Sequence, residues 1–310
     1  MKRFLWVLLA AAVLAAGTAW AGPQDLAVTY VKAPLNVPSI LEKRLGLFDK
    51  AFAPQGIAVT YPELLAGPQQ TQALAAGSVQ VAHCLGGTSA LLAAAGGVDL
   101  KIVGIYSRAP RAFVILVKDP AIRTVADLKG RKVAGPKGTV LHQLLVAAVK
   151  KAGLAPSDVP LLGMGLPEGV AALLSGGADA ALAAGPAVPK ALEQGARVLV
   201  DGKGLVDATT VIAMAGSFLA EHPDRARLFL KTHRAALARM KAKPEEALNL
   251  TAQETGLTPE AVKAMLPLYD FDPTLRPSDL AELERTQDFL MENGMMQRKV
   301  DLKGLVRTSL

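Results

Sequence analysis

Apolar residues recur along this chain with two alternating periods. Short runs rich in β-branched residues, such as "LAVTYV" (26–31), "VQVAHCLGG" (79–87) and "LKIVGIYS" (100–107), read as strands. Between them lie segments with apolar positions at helical spacing, such as "VPSILEKRLGLFDKAF" (37–52), "QQTQALAAG" (69–77) and "TSALLAAAGG" (88–97). The series begins again near residue 108. "AFVILVK", "RKVAG", "DVPLLGMG", "ADAALAA" and "ARVLVDG" read as strands separated by helical stretches, and "TTVIAMA" (209–215) returns to strand. This alternation predicts parallel β-α-β units. After Ser217 the text becomes helical, with Pro223, Pro244, Pro259 and Pro277 near helix starts, where the missing N–H costs least.

Glycines punctuate the strand ends. "VAHCLGGTSALL" and "VAGPKGTVLHQLL" share one plan: a short apolar strand, a glycine turn, a hydroxyl residue and a helix. Two α/β lobes follow, each opening helices at strand C-termini, where ligands of open α/β sheets sit. The second stretch is not a nucleotide phosphate loop, because that loop needs Gly-Lys followed by Ser or Thr, and here Lys137 precedes Gly138. A helix N-terminus opened by glycine remains, and such a terminus favours anions.

The N-terminus sets the compartment. Lys2 and Arg3 precede an apolar run at residues 4–16, and Ala19-Trp20-Ala21 fits a small-x-small cleavage site. Residues 1–21 therefore read as a signal peptide cut before Gly22, and the mature protein is expected in a Gram-negative periplasm. Cys84 is the only cysteine, so no internal disulfide forms and no lipid-anchor cysteine follows the apolar run. The net charge of +7 falls by two with the signal peptide and is spread out. No basic run with interleaved aromatics appears, which argues against nucleic acid, and the positive background suits a small anion.

The strings "ALAAGSVQVA", "VKDPAIRTVADLKGRKVAGPKGT", "KAGLAPSDV", "EGVAALLSGGADAAL", "FLAEHPDRARLFLKTHRAAL", "AQETGLTPEAVKAMLP" and "VDLKGLV" resemble the solute-binding proteins of ABC importers for nitrate, sulfonates, taurine and thiamine precursors. The resemblance extends over nearly the whole mature chain. It implies a type II periplasmic binding protein, with two α/β lobes around a cleft joined by two crossing strands near 105–108 and 208–211. Lobe 1 would comprise 22–107 and 209–310, and lobe 2 would comprise 108–208. It further implies a monomer that captures a small anionic solute and delivers it to a membrane permease with its ATPase, without enzyme activity, metal or other cofactor. Two alternatives stay open: a pyrimidine-synthase-like enzyme of the same fold, whose cysteine-rich iron motif has no counterpart here, and a sensor input that hands its ligand to a receptor.

The residues expected on the ligand follow from that plan. One jaw is Lys137, Gly138, Thr139 and Val140, offering free N–H groups and a hydroxyl; the other is Gly87, Thr88 and Ser89. His83 ends a strand, Asn36 follows the first strand, and Gly185 stands where many relatives place an aromatic residue. Its surroundings here are Ala183-Ala184-Gly185-Pro186, which leaves two alternatives open: a bulkier ligand, or a different contact from Tyr30, Tyr106 or Met164. Glu168 opens a helix and reads as mainly structural. His83 and Cys84 are strand neighbours that should face opposite ways, which argues against a nucleophile–base dyad. His142, His222 and His233 show no ligand spacing with acids or with each other.

Overall fold

A computed structural model describes residues 25–307; the signal peptide expected at 1–21 lies outside them. In chain order the elements are β1 (Leu26–Ala27), α1 (Val37–Arg44), α2 (Leu47–Phe52), β2 (Val59–Thr60), α3 (Gly67–Ala75), β3 (Val81–Gly86), α4 (Gly87–Ala95), β4 (Leu100–Arg108) and β5 (Phe113–Val117). Then come β6 (Val133–Gly135), α5 (Val140–Lys151), β7 (Leu161–Gly163), α6 (Leu166–Ser175), β8 (Ala180–Ala184), α7 (Ala187–Glu193), β9 (Arg197–Asp201) and β10 (Thr209–Ala215). The chain closes with α8 (Gly216–Glu221), α9 (Pro223–Ala242), α10 (Pro244–Thr255), α11 (Pro259–Met265), α12 (Pro277–Glu292) and α13 (Leu302–Leu305).

Two sheets of the same design organise the lobes. In lobe 2 the strand order is β7-β6-β8-β5-β9. In lobe 1, β3-β10-β4 form one sheet and β1-β2 pair beside it, joined to β3 by a bridge between Val28 and Val81. The alternation predicts parallel units, but neither sheet is wholly parallel. β10 runs antiparallel to β3 and β4, and β5 runs antiparallel to β8 and β9. The reason is topological: the chain crosses between lobes after β4 and before β10, so β5 and β10 each enter their sheet without a crossover helix. The single helix expected at 37–52 is also two, because Gly46 takes φ 58° and breaks it into α1 and α2.

β5, β8 and β10 are buried along their whole length, and the uninterrupted apolar text of β5 and β8, and of β10 after Thr210, is what strands covered on both faces require. Gly135 at the end of β6 is forced by packing: a methyl group there would lie 2.6 Å from Leu182 Cβ on β8. Lobe 1 also encloses a carboxyl–imidazole cluster, in which burial pushes the His83 imidazole down to about 4. Glu42 on α1 is 1% exposed and touches the Nδ1 atoms of His233 at 2.7 Å and His83 at 3.4 Å. Burial opposes its charge, but the two imidazoles outweigh that and hold the carboxyl below the usual range.

The first crossing is pinned by Arg108 at the end of β4. Its guanidinium donates from Nε and Nη2 to the two Asp279 oxygens, each at 2.6 Å, and from Nη2 to the Thr274 carbonyl at 2.8 Å. Asp279 is buried, which disfavours its charge; the bonds from Arg108 and from the Arg276 N–H reverse the balance and lower its pKa. Arg108→Met leaves that carboxylate without its partner and should cost about 3 kcal/mol in urea unfolding near neutral pH. A depressed carboxyl stabilises the fold above its unfolded pKa of about 3.9 and loses that contribution as pH falls through the folded value. The difference between wild type and Arg108→Met should therefore shrink below about pH 4, as a pH series of urea midpoints would show.

Candidate functional site

A cleft of about 360 Å³ lies between the lobes. Four helix starts converge on it: Gly67 of α3 and Ser89 of α4 from lobe 1, Val140 of α5 and Leu166 of α6 from lobe 2. The first turn of each helix carries backbone N–H groups with no partner inside the helix, and the dipole adds partial positive charge there. Among the described residues, the charged ones on the wall are Glu63 and Glu168, and no lysine or arginine is among the lining residues. Glu63 pairs with Lys32 at 2.7 Å. Glu168 folds back over the start of its own helix, so that a methyl group at Gly165 would meet its Oε2. Attraction for an anion in this cleft comes from backbone.

The rest of the wall is apolar and comes from both lobes, including Pro34, Leu65, Phe113, Pro136 and Leu166. Among the described residues the one aromatic ring on the wall is that of Phe113, a residue that no motif marked; it starts β5 immediately after the crossing. Tyr30 donates its hydroxyl to Glu254, Tyr106 is buried beside Ser39, and Met164 is not on the wall.

The two jaws do meet. Ser89, Thr139 and Val140 line the cleft, and Ser89 Oγ donates across it to the Gly138 carbonyl at 2.8 Å. Thr139 is also the N-cap of α5, accepting from the His142 N–H and donating to the Pro136 carbonyl at 3.0 Å. A methyl group at Gly86 would point across the gap to 3.2 Å from Val140.

The other expected residues lie off the wall. The Gly138 N–H is taken by His142 Nδ1 at 3.2 Å, because the left-handed turn at φ 69° directs it into its own helix. The Lys137 stem packs over Gly163, in a separate groove with His142, Leu145 and Pro160. Gly87 faces Leu283 and the Thr209 carbonyl, and Thr88 donates to Gln143. Gly185 has φ 63° and presses on the other lobe: a methyl group there would sit 2.9 Å from the Pro34 carbonyl carbon. It is a closing contact and leaves no room for a ligand.

His83 and Cys84 face opposite ways as strand neighbours do, but in the reverse sense to that expected. His83 is 1% exposed, turned into the core against Glu42, Tyr106 and Phe229. Cys84 lies on the cleft wall with φ 72°, uncommon outside glycine. Its Sγ donates to Asn36 Oδ1 at 3.2 Å, and Asn36 Nδ2 donates to the Val31 carbonyl, so Asn36 holds the wall from behind. Burial pushes the Cys84 thiol up to about 12, which leaves it no thiolate for nucleophilic attack.

Glu42, His83 and His233 bring three potential metal-ligating atoms within 4.8 Å, a grouping invisible in sequence spacing. Both imidazoles aim Nδ1 at the carboxylate, and the Nε2 atoms have no hydrogen-bond partner. Metal-bound imidazoles normally donate their second N–H to an acceptor, so the geometry is that of a buried carboxyl–imidazole cluster.

Residues 38–247 match the family model described as NMT1/THI5 like. The chain belongs to this family. In three dimensions it is similar to the alkanesulfonate-binding protein SsuA from Xanthomonas axonopodis pv. citri bound to MOPS, with a TM-score of 0.85, 27% identity and coverage of 93% of this chain and 99% of that one. It is also similar to the periplasmic aliphatic sulphonate binding protein SsuA from Escherichia coli, with a TM-score of 0.77, 30% identity and coverage of 93% of each. In sequence it is 31% identical to the taurine-binding periplasmic protein of Escherichia coli (strain K12), over 59% of this chain and 58% of that protein. The fold is that of the periplasmic binding proteins, as the resemblance implied. Among the described residues no helix is long and apolar enough to cross a membrane.

Gly86→Leu places a side chain between the jaws at a backbone angle that any residue adopts. It should abolish ligand-induced thermal stabilisation and leave the melting temperature without ligand within a few degrees of wild type. Lys137→Ala should bind within about twofold of wild type, as titration calorimetry would record.

Proposed function

We propose that this protein captures a small organic anion, a sulfonate ahead of other classes, in the interlobe cleft and delivers it to an ABC permease and its ATPase. The observation that carries this reading is the meeting of four helix starts on one partly apolar cleft without a basic side chain. A diffuse, delocalised anion such as a sulfonate suits several N–H donors spread over four helices. An apolar tail suits Phe113, Pro34 and Leu166. Micromolar affinity requires about 8 kcal/mol. Hydrogen bonds to a charged group contribute roughly 1.5–3 kcal/mol each, and a partly buried helix terminus up to about 2 kcal/mol. Four or five such contacts suffice after ordering costs.

In this reading the protein works as a monomer in the periplasm after removal of residues 1–21. Lobe 1 spans 22–107 and 209–310, and lobe 2 spans 108–208. The ligand sits against Ser89, Thr139 and Val140. The names of the relatives, which bind alkanesulfonates and taurine, support the substrate class.

A thermal-shift panel of butanesulfonate, taurine, MOPS, nitrate, bicarbonate, an aromatic carboxylate and a pyrimidine tests the proposal. Sulfonates should raise the melting temperature most. Stabilisation by a neutral compound alone would overturn the anion reading.

A further inference from the structure

Thr88 turns its hydroxyl away from the cleft and begins a hydrogen-bond chain. Thr88 Oγ1 donates to Gln143 Oε1 at 2.6 Å, Gln143 Nε2 donates to Thr286 Oγ1 at 3.3 Å, and Thr286 Oγ1 donates to Glu282 Oε1 at 3.0 Å. All four side chains are buried. Each hydroxyl hydrogen is used once, so the chain runs in one direction from Thr88 to the Glu282 carboxyl group, an arrangement in which each bond polarises the next.

The chain alternates between lobes. Thr88 on α4 and Thr286 and Glu282 on α12 belong to lobe 1; Gln143 on α5 comes from lobe 2 and is held on both ends of its amide by lobe 1. It also ties together the two jaws. Thr88 precedes Ser89, and Gln143 stands one turn after Thr139 and Val140; these three neighbours line the cleft. Moving α5 away from lobe 1 breaks both the 2.6 Å bond from Thr88 and the 3.3 Å bond to Thr286.

We propose that Gln143 is a positioning residue for ligand binding: its amide latches the start of α5 between α4 and α12 and so favours the closed arrangement of the jaws. It does not touch the ligand. The proposal rests on the reading of the cleft as an anion site. Neither α4 nor β10 carries a titratable side chain, and Gln143 meets Glu282 only through Thr286, so the latch is a neutral amide held between two hydroxyls.

Butanesulfonate is the probe, with Gln143→Met, Thr88→Val and the double variant as test proteins. Each single variant should bind about tenfold more weakly, chiefly through faster dissociation. The double variant should bind no more weakly than Gln143→Met alone, because Gln143→Met already removes the bond that Thr88→Val breaks. A merely structural role would lower the melting temperature equally with and without ligand; the latch predicts a smaller ligand-induced gain in the variants. Wild-type affinity in both single variants, or additive losses in the double, overturns it. If wild type itself binds no anion, the anion reading fails separately. The latch is then read from small-angle scattering of ligand-free protein: Gln143→Met should enlarge the radius of gyration, and an unchanged radius overturns the proposal.

Discussion

The cleft depends on the meeting of helix starts at one place. An anion placed there meets dipoles fixed by the fold, since no lysine or arginine is among the lining residues. Such a site requires that α3, α4, α5 and α6 all begin at one place, because the effect of a helix terminus fades within its first turn. Most of the fold serves that requirement. The short strands β3, β6 and β7 end at the cleft and hand the chain to helices, and the sheets of both lobes place those ends face to face.

The lobes are held by contacts of differing stiffness. Arg108 binds the crossing strand β4 to α12 through charge-assisted bonds, which fixes one end of the hinge. Ser89 to Gly138 and Thr88 to Gln143 are neutral bonds between lobes, each worth about 1 kcal/mol and therefore separable at low cost. Gly185 against Pro34 is contact without a bond. This ordering suits a molecule that must keep its hinge while opening and closing its mouth.

The core cluster of Glu42 with His233 and His83 explains why a polar residue within β3 turns away from the cleft. Burial alone would strip the carboxylate of its charge, and the imidazoles preserve it. The alternation of a strand is strict about which neighbours part company but silent about which side is the core. His83 and Cys84 parted as expected, and the polar one went inward because Glu42 on α1 offered it a partner that the cleft does not.

The sequence by itself determined the order of strands and helices, the two-lobed plan and the pairing of "VAHCLGGTSALL" with "VAGPKGTVLHQLL" as facing jaws. These follow from periodicity, glycine position and capping chemistry, all local properties. Ser89, Thr139 and Val140 were legible for the same reason: each sits at a helix start at a strand end. Only the tertiary structure decided the rest. Phe113 and the starts of α3 and α6 carry no motif, and they reach the cleft because the chain crosses between lobes at Arg108 and returns at Thr209. Lys137, Gly138, Thr88 and Gly185 lie in or beside the right turns but point elsewhere. A side chain's direction depends on the left-handed turns at Gly138 and Gly185 and on partners distant in sequence, Gln143 for Thr88 and Pro34 for Gly185, which no local spacing records.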